Sequence, residues 1–522
     1  MIKAGNRLLF ALLALVVASP ALARPPVKLV VVVMVDQLGT EYWLRGEPLF
    51  DGGFARLARR GMVYPNGVHN HANTATGPGH ADVATGAWPS VHGIVSNEWF
   101  ENGRETYCVK DAQGAITPRR MEAPTIADQM RLASRGRARV VSLALKDRVA
   151  VLMGGQSPNL AAWWDPAANA FVRGIYAGTA LPFSLEPTNA IHAAIRAKNL
   201  PWLRLRPELD YVKLASADDL PHEGFITGLG RTFPHAYGLD IDAEAYRVSP
   251  LLLDALIEMA GRAVDELELG RRGETDYLFV GLTSLDYAGH YWGPTSQEAL
   301  DMLLRSDRAL GTLIDRVEKK LGTNSVLWAL SADHGITLAP EETVAYGGRG
   351  KRVDGNAIAA RVNAALAPLA QKGKKPTAVA LLDPPLLWLD HADPTADRVA
   401  LARAAAKAMT DGPELLEAYA SDDIGRFDAQ YRAMFERVLF PGRTPEVMFL
   451  QRPYDLVEVE HHTGSGHGSP YVYDTHVPIV LSGPGVRPGR DMAPYDVTRI
   501  APTIAALLGI ESPASASEPP LP

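Results

Sequence analysis

Three apolar runs each lead into carboxylate or imidazole side chains, and this pattern constrains the fold more than any other feature of the chain. KLVVVVMV (28–35) ends at Asp36. YLFVGL (277–282) is followed by SLDYAGH, with Asp286 and His290. SVLWAL (325–330) leads into SADHG, with Asp333 and His334. Uninterrupted apolar runs of this length read as strands covered on both faces, the mark of a parallel sheet. In open α/β sheets ligands bind just beyond the carboxyl ends of the strands. A carboxylate and an imidazole there serve packing poorly and a metal ion well. A single DHG would read as a turn aspartate beside a capping histidine; its recurrence favours a site.

The rest of the chain supplies the other elements of such a fold. Arg139 to Leu145 reads as a further strand, followed by Lys146, Asp147 and Arg148, and His476 to Ser482 as a late one. Pro78 to Thr85 reads as a helix opened by proline and closed by Gly86. Pro250 to Leu269 and Gln297 to Leu321 carry apolar residues at three- and four-residue spacing, as amphipathic helices do. Thr498 to Leu508 is the expected closing helix. The alternation predicts an α/β fold: a doubly wound, mostly parallel sheet with helices on both faces, built from residues 24–157, 246–339 and 456–510. Two stretches break the rhythm. Residues 158–245, rich in proline and aromatics, and 340–455, with Ala-rich helices such as Arg398 to Met409, read as inserted segments, the second as a cap. The tail 511–522, ESPASASEPPLP, is expected to be disordered.

The first residues are expected to be absent from the working protein. Lys3 and Arg7, the apolar stretch Leu8 to Val17 and the closing Ala21-Leu22-Ala23 form a secretory signal peptide, 1–23. The apolar stretch is short for a bilayer span, and no other segment approaches that length. The expectation is a periplasmic or secreted protein with no membrane attachment after cleavage. The chain carries 52 Lys and Arg against 59 Asp and Glu. Nucleic-acid-binding modules usually show a basic excess, so none is expected. Cys108 is the sole cysteine, which excludes an internal disulfide.

His467, in GSGHGSPY before the late strand, completes a set of three aspartates and three histidines: Asp36, Asp286, Asp333, His290, His334 and His467. That makes two nitrogen-and-oxygen sites, a donor set that suits Zn²⁺, with Mn²⁺ or Fe as other occupants. Asp286 and His290 at i, i+4 share one face of a helical turn. His69, His71, His92, His192, His222, His235, His391, His461, His462 and His476 lack an acidic partner at metal spacing after a strand and read as structural or surface residues. His80 reads as a neighbour of the ligands. Paired metal ions clamp the attacking and leaving oxygens of an in-line displacement, the chemistry of phosphate-ester cleavage. Thr76 in NTATGPGHADVATG is the expected nucleophile. A helix N-terminus there favours an alkoxide and a phosphate, and Gly77 would let a phosphoryl oxygen approach its N–H. Thr74 is the second candidate, two residues farther from the helix.

Together MVDQ, TGPGHADVATG, PSVHGIVSNEWF, LKDR, SLDYAGHYWG, SADHG and HGSPYVYDTHVP resemble the alkaline phosphatase superfamily, over residues 28 to 510 outside the insertions. The resemblance is to its phosphate-irrepressible, threonine-nucleophile alkaline phosphatases, close to the nucleotide pyrophosphatase/phosphodiesterase branch. It implies two Zn²⁺ per subunit, one on Asp286, His290 and His467, the other on Asp36, Asp333 and His334 with Thr76 bridging toward it. It implies attack of Thr76 on phosphorus, a phosphothreonine, and its hydrolysis by water. It further implies that Asn97, Lys146 and Arg148 bind the phosphoryl oxygens of small-molecule monoesters, and that Lys146 replaces a third metal ion. Arg grips two phosphate oxygens in a fork, whereas Lys acts as a point charge. The diesterase branch lacks this Lys-x-Arg pair. One departure is Ser96, where the resemblance leads one to expect glycine.

The alternative on the same scaffold is a phosphodiesterase or nucleotide pyrophosphatase, and some diesterase activity is expected in either case. A sulfatase would need Pro and Arg near its modified residue, and Cys108 in CVKDA has neither in place. A cofactor-independent phosphoglycerate mutase would be cytosolic. An exported metal- or substrate-binding protein without turnover would explain the ligands but not Thr76, Lys146 and Arg148 together.

Overall fold

The computed structural model describes residues 27–176, 181–198, 200–236, 243–390, 393–459 and 463–522. The expected leader, and His391, His461 and His462, lie outside the described residues. Leu29–Val35 is buried along its whole length. It lies between Asp276–Leu282 and Val326–Ser331 and runs parallel to both. A strand with parallel neighbours on two sides and helices on two faces has no polar side, so its sequence shows no alternation.

Val140–Ala144 continues the sheet parallel to Asp276–Leu282, and Leu160–Asp165 follows in parallel. On the other flank His476–Ser482 runs antiparallel to Val326–Ser331 and pairs with Met62–Val68. Among the described residues the sheet has ten strands and is mostly parallel at its centre. Helices pack on it in two groups. Gly53–Arg60, Pro250–Glu266, Ser284–Trp292 and Gln297–Leu321 contact one another, as do Thr76–Thr85, Ile126–Ala133, Asp147–Gly154 and Ile500–Leu508. This is the expected doubly wound α/β architecture.

Two expectations need correction. The stretch 158–245 was expected to be an insertion throughout, yet Leu160–Asp165 and Ala170–Arg173 are strands of the central sheet. Trp164 and Phe171 are buried there, edge to face at 5.5 Å; the run LAAWWD is short, and the prolines downstream mask its strand character. The tail is packed rather than disordered. Proline keeps its carbonyl as an acceptor, and these carbonyls are used: Tyr64 donates to Pro522 O at 2.8 Å, and Arg499 donates to Pro519 O and Pro520 O. Leu521 is buried, and its N–H donates to Thr503 Oγ1.

Much of the region 340–455 forms a smaller layer of its own. Val379–Asp383, Leu386–Leu389, Val447–Gln451 and Leu415–Ala420 make an antiparallel sheet. Gly355–Leu366 and Arg398–Thr410 cover it, closing a second apolar core around Ile358, Leu387, Ala405 and Phe449. The hairpin 379–389 packs against the strand Glu98–Glu101 of the main body.

If the tail is part of the fold, Leu521→Ala lowers unfolding stability by about 2 kcal/mol. Urea denaturation checks this; a loose tail would give no change.

Candidate active site

Three adjacent parallel strands set the spacing of the site. The ladder puts Val35 opposite Leu282 and Met34 opposite Ser331. Asp36 comes directly after Val35, with its N–H donating to Leu282 O at 3.1 Å. The helix Ser284–Trp292 follows Leu282 after one residue and carries Asp286 and His290 one turn apart. Asp333 and His334 lie just past Ser331. His467 arrives from the loop before the late strand. All six expected ligands are therefore brought to one end of the sheet.

The imidazoles share one hydrogen-bonding pattern. Nδ1 lies 3.0 Å from Ser465 O in His290, 2.7 Å from Thr74 O in His467 and 2.9 Å from Gly335 O in His334. A carbonyl only accepts, so Nδ1 bears the proton and Nε2 keeps its lone pair. Metal-binding histidines are typically oriented in this way. His290 Nε2 is 3.3 Å from Asp286 Oδ1 and 3.2 Å from His467 Nε2. His334 Nε2 is 3.2 Å from Asp333 Oδ2, and its ring stacks on His467 with centroids 3.5 Å apart.

Among the described residues three sets of donor atoms each lie within 4.8 Å of one another, and two of them are at this end of the sheet: Asp286, His290 and His467, and Asp36, His80 and Asp333; the third is His69, His71 and Asp82. His80 was expected beside the ligands; it stands in the second set, with Nδ1 toward Thr76 O at 2.9 Å and Nε2 3.5 Å from Asp36 Oδ1. Among the described residues, Asp36 Oδ1, Asp333 Oδ2, His80 Nε2 and His334 Nε2 are buried without hydrogen-bond partners. Stranded acceptors of this kind are costly, and cations satisfy them. The residues fit metal ions.

Charge within the site is divided unevenly. Burial, then Asp333, pushes the Asp36 carboxyl well above the usual carboxylate range. Burial acts in the same direction on Asp286, but Lys146 and then His290 hold it well below that range. Lys146 Nζ donates to Asp286 Oδ2 at 2.6 Å and pairs with Asp36 Oδ2 at 3.2 Å. Burial, then His334 and His290, keep His467 well below the ordinary histidine value, in the neutral form a metal requires.

Thr76 is buried as the first residue of the helix Thr76–Thr85. Arg148 Nη2 donates to Thr76 Oγ1 at 3.4 Å. Gly79 lets this helix lie against the strand end: a β-carbon there would come 2.1 Å from Asp333 O. The expected role of Gly77 changes. Its N–H donates to Asn97 Oδ1 at 2.8 Å, so it orients an asparagine instead of standing free for phosphate. With Oδ1 engaged, the Asn97 amide nitrogen is the group left to donate to a ligand.

Sequence reasoning missed two supporting residues. Gln37, in the left-handed region at φ 68°, donates its backbone N–H to Asp333 Oδ1 and its side chain to Asp286 Oδ1, tying the two halves of the site together. Its place beside Asp36 in MVDQ was the available signal. Tyr107 accepts from Arg148 Nη1 at 3.3 Å and donates to Asp147 Oδ1 at 2.5 Å; nothing in its local sequence marks it.

His69, His71 and His92 do have an acidic partner, Asp82, which is buried with them. Its oxygens lie 3.0, 2.9 and 3.0 Å from His69 Nδ1, His71 Nε2 and His92 Nε2. Asp82 faces them from the helix of Thr76, 13 residues from His69 and 10 from His92 in the chain, so no short sequence spacing reveals the pairing. His69 also reaches Ala332 O at 2.9 Å, which ties that helix to the strand end before Asp333. Burial opposes ionisation of Asp82, but the surrounding imidazoles hold its carboxyl far below the usual range. Removing one partner of a buried charged cluster strands the others, so Asp82→Ala is expected to cost about 3–5 kcal/mol in urea unfolding.

Known proteins resemble this chain along most of its length. Residues 30–463 match the family "Type I phosphodiesterase / nucleotide pyrophosphatase". Alkaline phosphatase PafA of Elizabethkingia meningoseptica is 29% identical over 96% of this chain and 94% of its own length. The 1.7 Å crystal structure of wild-type PafA superposes with a TM-score of 0.88 at 28% identity, covering 96% of this chain and 99% of that one. A PafA variant with one threonine, one asparagine, one lysine and one arginine substituted superposes equally, at 27% identity over the same shares. The chain belongs to the type I phosphodiesterase/nucleotide pyrophosphatase family, within the alkaline phosphatase superfamily.

Proposed function

We propose that this protein is an exported alkaline phosphatase that hydrolyses small-molecule phosphate monoesters through a phosphothreonine on Thr76. The observation that carries the proposal is the Arg148 guanidinium 3.4 Å from Thr76 Oγ1, with Lys146, two residues before it, paired to Asp36 and Asp286. A monoester presents a dianionic phosphoryl group, and two fixed cations match it better than they match a diester. Relatives named alkaline phosphatases support the reading, as does a PafA variant substituted at the same four residue types as Thr76, Asn97, Lys146 and Arg148.

Asp286, His290 and His467 would hold one Zn²⁺, and Asp36, Asp333 and His334, with His80 alongside, the other. Bound there, zinc supplies Lewis acidity that lowers the proton affinity of the nucleophile and offsets charge on the transferred group. Arg148 orients Thr76 and binds phosphoryl oxygens, Asn97 donates from its amide, and the helix N-terminus adds positive potential. Thr76 Oγ gives up its proton and forms a bond to phosphorus while the bond to the leaving oxygen breaks; that oxygen takes up a proton and departs as the alcohol. Water then attacks the phosphothreonine, the bond from phosphorus to Oγ breaks, one proton of the water returns to Oγ, and inorganic phosphate is released. The leader pattern in residues 1–23 supports export to the periplasm or beyond.

The second reading, a phosphodiesterase, rests on the family match itself. Turnover of p-nitrophenyl phosphate against bis-p-nitrophenyl phosphate by the zinc-loaded protein separates the two. The monoester is expected to be strongly preferred, and Arg148→Ala to lower its kcat/KM by about 100- to 1,000-fold while sparing the diester. A diester preference indifferent to Arg148 would overturn the proposal.

A further inference from the structure

The serine that stands in place of an expected glycine makes a contact with the cap. Ser96 Oγ donates to Asp383 Oδ2. Asp383 ends the strand Val379–Asp383 and opens the turn Asp383-Pro384-Pro385 into Leu386–Leu389. The other side of this turn meets the metal-ligand loop: a β-carbon on Gly468 would come 2.8 Å from Pro384 O. One turn of the cap is thus lodged between the loop of Asn97 and the loop of His467. Around it the cap hairpin packs on Glu98–Glu101, the strand that begins immediately after Asn97.

Asn97 is held at three points. Its carbonyl accepts from the Cys108 N–H at 2.9 Å, and its Oδ1 accepts from the Gly77 N–H at 2.8 Å. The preceding residue, Ser96, is fully buried and tied to Asp383. The first two contacts come from the main body. The third comes from a segment more than 280 residues away in the chain. A glycine at 96 would have no side chain with which to make it.

We propose that Asp383 is a positioning residue: through Ser96 it sets the pose of Asn97, so that the cap tunes affinity for the transferred phosphoryl group without touching it. The proposal rests on the reading of Asn97 as a phosphoryl ligand. Asparagine at 383 keeps an acceptor for the Ser96 hydroxyl, whereas alanine does not.

The test measures competitive inhibition by inorganic phosphate, and kcat and KM for p-nitrophenyl phosphate, in the zinc-loaded full chain. Asp383→Ala is expected to weaken phosphate inhibition about fivefold to tenfold, the worth of one hydrogen bond, with the loss of kcat/KM falling on KM. Asp383→Asn is expected to stay within about twofold. In an Asn97→Ala background, Asp383→Ala is expected to add less than about twofold, because the two act as one unit. Ser96→Ala removes the donor from the other side and is expected to match Asp383→Ala, so a variant that fails to fold does not end the test. Independent, multiplying losses in the Asn97→Ala background would overturn the proposal. So would unchanged phosphate inhibition in both Asp383→Ala and Ser96→Ala when Asn97→Ala weakens it. Unchanged inhibition in Asn97→Ala itself would instead remove the reading of Asn97, and the proposal with it.

Discussion

Repulsion among buried carboxylates governs this molecule. Asp36, Asp286 and Asp333 are almost wholly buried at the ends of neighbouring strands. Like charges in a poorly polarisable interior cannot all remain ionised without cations between them. Lys146 meets part of that demand through Asp36 and Asp286. The acceptors left over on Asp36, Asp333, His80 and His334 call for metal. The sheet prevents an escape by relaxation. Asp36 and Asp333 extend from fully paired strands, and Asp286 sits in the first turn of a buried helix.

Much of the surrounding design keeps that charged centre aimed. The backbone carbonyls on each Nδ1 turn the opposite ring nitrogen inward. Gln37 bridges Asp333 and Asp286. The Asp82 cluster fastens the Thr76 helix to the strand end before Asp333, while Gly79 allows the two backbones to touch. Thr76 and Arg148 set the site apart from a mere metal store: a hydroxyl stands at a helix N-terminus with a guanidinium beside it, a position that favours a bound phosphate.

The convergence of the three aspartates and three histidines was legible in the sequence because each follows, or stands near, an apolar run whose direction in a parallel sheet is constrained. What escaped was set by partners distant in the chain. Asp82 gathers His69, His71 and His92 only once the helix is docked, and Asp383 meets Ser96 only through a second sheet. Gly77 was assigned to phosphate because local chemistry permits it; the fold brings Asn97 to its N–H first. The tail looked disordered by composition, yet its proline carbonyls find donors on Tyr64 and Arg499. Composition reports a segment's own inability to form a core, not the surface that waits to hold it.

The most direct test of the central claim is to stop turnover with acid during steady-state hydrolysis of a monoester and map phosphorylation by mass spectrometry. The account predicts one added phosphoryl group on the peptide containing Thr76, absent from Thr76→Ala. Full turnover with no phosphorylated Thr76, or an adduct at another residue, would contradict it.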